Sequence, residues 1–182
     1  MDWADLTIKA AGLVVLVYGL FQLHETVRKR HIDLYWEIAD RYLSEEGRNS
    51  RHAVGKVEEA LGLAEGSPRN ELSDQEVVRL GKTYLEKFHD QPRESDEKKT
   101  DGAARDRLRL LNQAGLLLRK RLVDRDLLFG LLAPGLQVDL NVLRVIEQAY
   151  ETHHGFRVYP EFSFLVANYR KWEESHPVLR PG

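Results

Sequence analysis

The apolar positions of this chain fall into two kinds of run, one continuous and the others periodic. From Ala10 to Phe21 every residue is small or apolar, and between Leu6 and Leu23 the run is broken only by Thr7, Lys9 and Gln22. As a helix these residues reach about 27 Å, close to the roughly 30 Å of a bilayer's hydrocarbon layer. Lys9 is near enough to the outer end to extend its ammonium towards water, and Trp3 and Tyr18 suit an interface. Asp2 and Asp5 precede the run, and the residues after it are bulky and basic with no small-x-small cleavage site, so an anchor fits better than a cleaved signal peptide. Gly12 and Gly19 lie seven apart and open one face of that helix, a weaker arrangement than the small-xxx-small repeat of tightly paired spans.

Beyond Leu23 the pattern becomes helical. Val27, Leu34, Ile38 and Tyr42, with His31, Tyr35 and Trp36, recur at helix spacing with no proline or glycine between His24 and Glu46, so the anchor is expected to run straight into the next helix. Glu45 to Ser50 reads as a turn, with Asn49 or Ser50 capping a helix over Arg51–Leu61 that carries Val54, Val57 and Leu61. Gly62 to Asn70 reads as a loop. Ser73-Asp-Gln-Glu76 matches a capping box and predicts a helix to about Phe88, with Val77, Leu80, Tyr84 and Leu85 on its face. The charged residues from about 90 to 103 predict an exposed loop. Ala104, Leu108, Leu111, Gly115 and Leu118 predict a helix over Arg105–Arg121, where Gly115 would allow a close helix approach.

Asp124 is placed to cap the next helix, with Asp126 in its first turn, and Ala133-Pro134-Gly135 reads as a stop after Leu132. The leucine-dense hairpin Leu116–Leu132 is the expected centre of the core. Asp139–Tyr150 would form another helix, ended near Gly155. Pro160 would open the last, whose face is Phe162, Leu165, Val166, Tyr169 and Trp172, with Pro177 and Pro181 closing it. No stretch alternates like a strand. The fold expected is all-α: an N-terminal transmembrane helix over residues 1–30, including its basic collar, continuous with a six- or seven-helix cytoplasmic bundle over 31–182.

Charge refines the placement more than it suggests chemistry. The 27 Lys and Arg residues nearly balance the 29 Asp and Glu, for a formal net charge of -2, so no global field draws nucleic acid to the chain. Arg28, Lys29 and Arg30 follow the apolar run directly. By the positive-inside bias they place the C-terminal side in the cytoplasm, giving a single-pass protein of the inner membrane with its N-terminus outside. They also lie within reach of anionic headgroups. Arg119, Lys120 and Arg121 form the second basic cluster, at the end of a helix that also carries Arg105, Arg107 and Arg109.

Candidate catalytic groups are sparse. The chain has no cysteine, which removes disulfides, thiolate metal sites and thiol catalysis. There is no phosphate-binding glycine loop followed by Lys-Ser or Lys-Thr, and no G-x-S-x-G. His153 and His154, with Glu151 three residues before His154, are the one metal-ligand grouping, but neighbouring histidines are not helical i, i+4 partners. Asp124 and Asp126 around Arg125 are explained by helix capping. No catalytic residue and no cofactor is therefore assigned.

The apolar start, Leu34-Tyr-Trp-Glu-Ile38, and Leu111-Asn-Gln-Ala-Gly-Leu-Leu-Leu-Arg-Lys-Arg-Leu-Val-Asp-Arg-Asp-Leu-Leu-Phe129 together resemble a broad group of small bacterial helical proteins with a single N-terminal membrane segment. The resemblance implies this architecture over most of the chain and carries no activity onto any residue. The expected function is a non-enzymatic, membrane-tethered interaction or scaffold module. Its partners would be the lipid bilayer and another membrane or cytoplasmic protein, or a second copy as a homo-oligomer. Two alternatives stand beside it: a metal-dependent hydrolase or oxidase using His153 and His154 with nearby carboxylates, and RNA or anionic-lipid binding through the basic helix 105–121. Nucleic acid is the least favoured partner.

Overall fold

The computed structural model describes residues 3–63 and 72–176, with side chains from Tyr18 onwards. Every regular element among them is helical: α1 (Trp3–Leu43), α2 (Glu45–Ala60), α3 (Asp74–Tyr84) prolonged by a π-helical turn (Leu85–His89), α4 (Asp96–Arg119), α5 (Arg125–His154) and α6 (Pro160–Ser175). The all-α expectation holds for these six helices. The side chains of Leu6–Val17, most of the expected span, lie outside the described residues, as do 64–71 of the expected loop and the closing Pro177 and Pro181.

α1 is a single 41-residue helix, so the backbone of the apolar run passes into the next segment without a break. Ile38, Ala39 and Tyr42 are buried, and His31, Leu34 and Tyr35 are half-buried on the same side. Trp36 and Val27, expected on that face, are exposed.

Ser44 separates α1 from α2. Its hydroxyl donates to the Arg41 carbonyl at 2.8 Å and accepts from the Gly47 amide at 3.1 Å, ending one helix and capping the next. The expected turn at 45–50 and cap at Asn49 or Ser50 are thus replaced by a cap five or six residues earlier. Gly47 looked like a turn residue because of its composition, but it is inside α2. A β-carbon there would strike the backbone oxygens of Arg41 and Tyr42, so the missing side chain permits the sharp bend between the helices.

The capping box of α3 forms as the spacing predicts: the Glu76 amide donates to Ser73 Oγ, and the Ser73 amide donates back to the Glu76 carboxylate at 2.9 Å. Hydrogen bonds from the Ser73 side chain and backbone hold the Glu76 carboxyl below its usual range.

Two further helix boundaries need correction. The exposed loop at 90–103 ends at Ser95, whose hydroxyl accepts from the Lys98 amide at 3.1 Å and starts α4, and Asp101 is wholly buried. Charge density suggested solvent, but Asp101 has buried partners from two other helices. The second correction concerns α5, which runs straight through Pro134. Proline removes one amide and crowds the carbonyl four residues earlier. That carbonyl belongs to Gly130, which is exposed and has open space around it, so the disruption falls on the solvent side. Gly135 is required by contact, since a β-carbon there would meet the Tyr42 hydroxyl and the Arg107 guanidinium.

The core lies around α4 and α5, with Leu108, Leu111, Leu128, Leu132, Leu143 and Ile146 fully enclosed. Its centre is lower on the helices than the expected hairpin at 116–132, because Leu116 and Leu127 at the connecting corner are exposed. α2 and α6 both pack on α4, and α3 packs on α5. Gly115 makes the close approach its position suggested, with the backbone of Glu161 where a side chain would be.

Candidate functional site

The sequence singles out three places: the outer part of α1, the histidine-bearing end of α5 and the basic stretch of α4.

On α1, Tyr18, Leu20, Phe21 and Leu23 are all about 60 % exposed. At 100° per residue these positions are spread around the helix instead of along one stripe, unlike the one-sided pattern of a helix lying on a protein core. Arg28, Lys29 and Arg30 follow them, also exposed. Further along, Ile32 and Trp36 expose apolar surface one turn apart, with Tyr35 packed edge-on against Trp36 at 5.6 Å. The anchored end of the same helix is held to the bundle by Arg41, which donates to the Gln113 side chain at 3.2 Å, and by the buried Tyr42 hydroxyl, which donates to the Leu132 carbonyl at 3.3 Å.

At the end of α5, His153 packs against His89 from the π-helical turn with ring centres 4.5 Å apart, and against His154 at 4.9 Å. His89 Nδ1 lies 2.9 Å from the Asp90 carboxylate, and His154 stacks on Tyr150. Glu151 has Arg157 Nε 3.6 Å from its carboxylate. Among the described residues no three His, Asp or Glu side chains come together as a metal-binding group. The structure adds His89 to the sequence-predicted pair.

The basic stretch of α4 does not form a continuous positive face. Arg107 is 1 % exposed and bound to the buried Asp139 on α5, with Nη2 3.2 Å from Oδ2 and its guanidinium 4.0 Å from the Tyr42 ring centre. Arg51 on α2 approaches the same aspartate at 4.0 Å. Arg105 lies 3.6 Å from Asp101, Arg109 binds Asp106 at 2.8 Å, and Arg119 holds Glu161 at 3.0 Å. Of the predicted cluster Arg119–Lys120–Arg121, Lys120 and Arg121 remain solvent-facing, and Arg121 has a left-handed backbone, φ 56°.

The most elaborate polar grouping was not singled out by sequence reasoning. Asp101 Oδ1 accepts hydrogen bonds from the hydroxyls of Tyr84 on α3 and Tyr150 on α5, each at 2.6 Å, while Oδ2 lies 3.4 Å from Lys98 Nζ. Burial alone would raise the Asp101 pKa, but the two phenols and the adjacent cations outweigh it and hold the carboxyl below its usual range. Burial, with the neighbouring carboxylate, pushes both tyrosines well above theirs. For Asp139 the balance reverses: burial raises its pKa more than Arg107 and Arg51 lower it. Both groupings join helices, Asp101 linking α4 to α3 and α5 and Arg107 linking α4 to Asp139 of α5, while Asp101 Oδ2, Arg105 Nε and Arg107 Nη1 are buried without a hydrogen-bond partner. Buried tyrosines at helix spacing were visible in the sequence, but their common acceptor lay inside a segment read as loop.

Two surface hollows accompany these features. A groove of about 600 Å³ between α2, the π-helical turn and the start of α4 is lined by charged residues of both signs, Lys56, Glu86, Lys87, Asp96 and Glu97. A smaller hollow of about 210 Å³ between α3 and α5 holds Glu147, whose carboxyl is raised by burial although Ser163 donates to it at 2.8 Å. Comparison with known proteins finds no matching family model, no similar curated protein and no similar solved structure.

Proposed function

We propose that this chain is a membrane-tethered, non-enzymatic helical module: α1 crosses the bilayer through Leu6–Leu23, and the bundle works at the cytoplasmic face by contacting another protein or a second copy. The observation that carries the reading is the bare outer part of α1. An unbroken helix leads out of the bundle from Leu34, and its apolar residues at 18–23 face outwards in all directions with no bundle element against them. An apolar helix exposed around its whole circumference gains free energy from a hydrocarbon environment. Arg28–Lys29–Arg30 supports the orientation with the N-terminus outside. Ile32 and Trp36, just beyond the basic collar, are exposed apolar side chains available to a protein partner.

α5 is also long and apolar enough to cross a membrane, but 56 % of its apolar stretch is buried inside the bundle, which suits a core helix. The burial of Arg107 against Asp139 takes one cation away from the RNA-binding alternative along 105–121, and the metal-dependent alternative has no grouping of three His, Asp or Glu side chains among the described residues behind it.

Fractionation and protease protection of a C-terminally tagged full chain test the proposal. The expected result is a membrane-bound protein, resistant to carbonate extraction, whose tag is digested only from the cytoplasmic side. Recovery of the full-length chain as a soluble monomer would overturn it.

A further inference from the structure

We infer that α1 pairs with α1 of a second copy, parallel and in register, through the stripe Ile32, Trp36 and Leu43 and through ion pairs exchanged between Arg28 of one copy and Asp33 of the other. The inference rests on the tether proposed above and names the partner that the tethered bundle meets.

The first support is where the apolar surface of α1 lies. At 100° per residue, Ile32, Trp36 and Leu43 fall within about 40° of one another around the helix. They are 46 %, 62 % and 61 % exposed. The side chains enclosed or half-enclosed by the bundle, His31, Leu34, Tyr35, Ile38, Ala39 and Tyr42, occupy a neighbouring arc of about 140°. α1 therefore has two apolar faces beyond the collar, and its own bundle covers one of them. A helix with a single face to bury would carry polar residues at 32, 36 and 43.

The second support is charge complementarity with an identical helix. Arg28 and Asp33 are exposed, and neither takes part in an ion pair among the described residues. Glu37 and Arg41, away from the stripe, do pair within the helix at 3.0 Å. Arg28 and Asp33 flank the stripe on opposite sides, about 60° and 80° from its middle. In two parallel helices in register, a residue on one flank faces the other flank of its neighbour five positions further on, the spacing of charge pairs beside a coiled-coil seam. Arg28 then meets Asp33 of the partner copy, and two-fold symmetry makes the contact twice. Towards the membrane the stripe continues through Lys29 and Glu25, whose opposite charges leave that level without net charge.

The third support is the size of the stripe. Three apolar side chains and a pair of charges fall short of the roughly 800 Å² that each partner contributes to a stable interface in solution. The tether supplies what the area lacks. Copies inserted with the same orientation are parallel and at equal depth, so their stripes are already in register, and confinement to one membrane raises their effective concentration. A stripe too small to pair two freely diffusing chains is enough for two that share a bilayer.

The chain has no cysteine, so one introduced thiol reports on one position. Purified full-length Ile32→Cys, and Glu37→Cys as the control away from the stripe, would be placed in phosphatidylcholine vesicles and oxidised, and the disulfide-linked dimer read on a non-reducing gel. A disulfide needs Cα atoms closer than about 7 Å, so Ile32→Cys should give at least about fivefold more dimer than Glu37→Cys. The difference should persist as the vesicles are diluted with lipid. Adding Arg28→Glu or Asp33→Lys to Ile32→Cys should lower the dimer about threefold in each case, and adding both should restore it. The thermal midpoint and carbonate extraction confirm that each variant is folded and inserted. Equal cross-linking at 32 and 37, a yield that falls in proportion to dilution, or charge reversals without effect or without restoration in the double change overturn the pairing and leave the tether standing. A chain that fails to enter the vesicles overturns both.

Discussion

α1 and α5, at 41 and 30 residues, both carry long apolar stretches, yet they satisfy them in opposite ways. α5 encloses Leu128, Leu132, Leu136, Leu143 and Ile146 among its neighbours, and its ends are joined to them by the Tyr150–Asp101 hydrogen bond and by Phe129 against Trp172 at 5.7 Å. α1 buries only Ile38, Ala39 and Tyr42 among its described residues. Apolar length alone would rank α5 as a spanning helix. What separates them is whether other helices cover the apolar faces, and this comparison organises the predictions.

The largest effect is expected where α5 is joined to α3 and α4. Asp101→Ala would leave two buried phenols and two cations without their carboxylate, and breaking a buried charge cluster from one side costs about 3–5 kcal/mol. Urea unfolding should show it as a lower midpoint, and a loss under about 1 kcal/mol would mean the cluster does not hold the helices together.

Leu143→Ala in α5 should cost about 2–5 kcal/mol through lost burial and the cavity left behind. The paired change Leu20→Ala with Leu23→Ala in outer α1 should move bundle unfolding by less than about 0.5 kcal/mol while weakening membrane retention. Comparable destabilisation by both sets would erase the distinction between the helices. Gly115→Ala, which drives a methyl into the Glu161 backbone, should fall at about 1–3 kcal/mol.

The pH response is a smaller test with a definite sign. Asp101 has a folded pKa below its unfolded value of about 3.9, so its contribution is present above that value and is lost as pH falls through the folded one. Asp101→Asn should remove that acid-side component from the stability profile. Asp139 and Glu147, whose folded values are raised, contribute with the opposite slope: their contribution is present below the unfolded values and is lost as pH rises through the folded ones. An unchanged acid limb in Asp101→Asn would show that the tyrosine-bound carboxylate is not the source.

The smallest expected change in stability comes from a Gly-Ser-Gly insertion after Arg30. Membrane retention and the bundle's thermal midpoint should both be preserved, while the orientation of the bundle against the bilayer, read from the quenching of a fluorophore on the bundle surface by headgroup nitroxides, becomes looser. An unaltered orientation would mean that the stiffness of α1 does not position the bundle.

Much of this arrangement could be read locally. The capping box at Ser73–Glu76, the Asp124 cap, Pro160 at the first turn of α6 and the periodic faces of α3, α4 and α6 depend on residues three or four apart, and they form as their spacing predicts. The errors occurred where a residue's meaning depended on a distant partner. Gly47 and Pro134-Gly135 looked like breaks, but Gly47 accommodates the end of α1, Gly130 gives Pro134 an exposed place for its released carbonyl, and Gly135 leaves room for Tyr42 and Arg107. Arg107 looked like part of a basic face until Asp139, 32 residues later, removed it from the surface.

The sequence by itself determined the helical class, the starts of α3, α5 and α6 and the uninterrupted apolar run ahead of Arg28–Lys29–Arg30, because capping, periodicity and local charge operate within a few turns. Only the tertiary structure decided which apolar helix is covered, which arginines are neutralised and where Asp101 finds its phenols. Burial and ion pairing are properties of surfaces brought together from distant parts of the chain, and a local pattern of residue types does not identify the opposing surface.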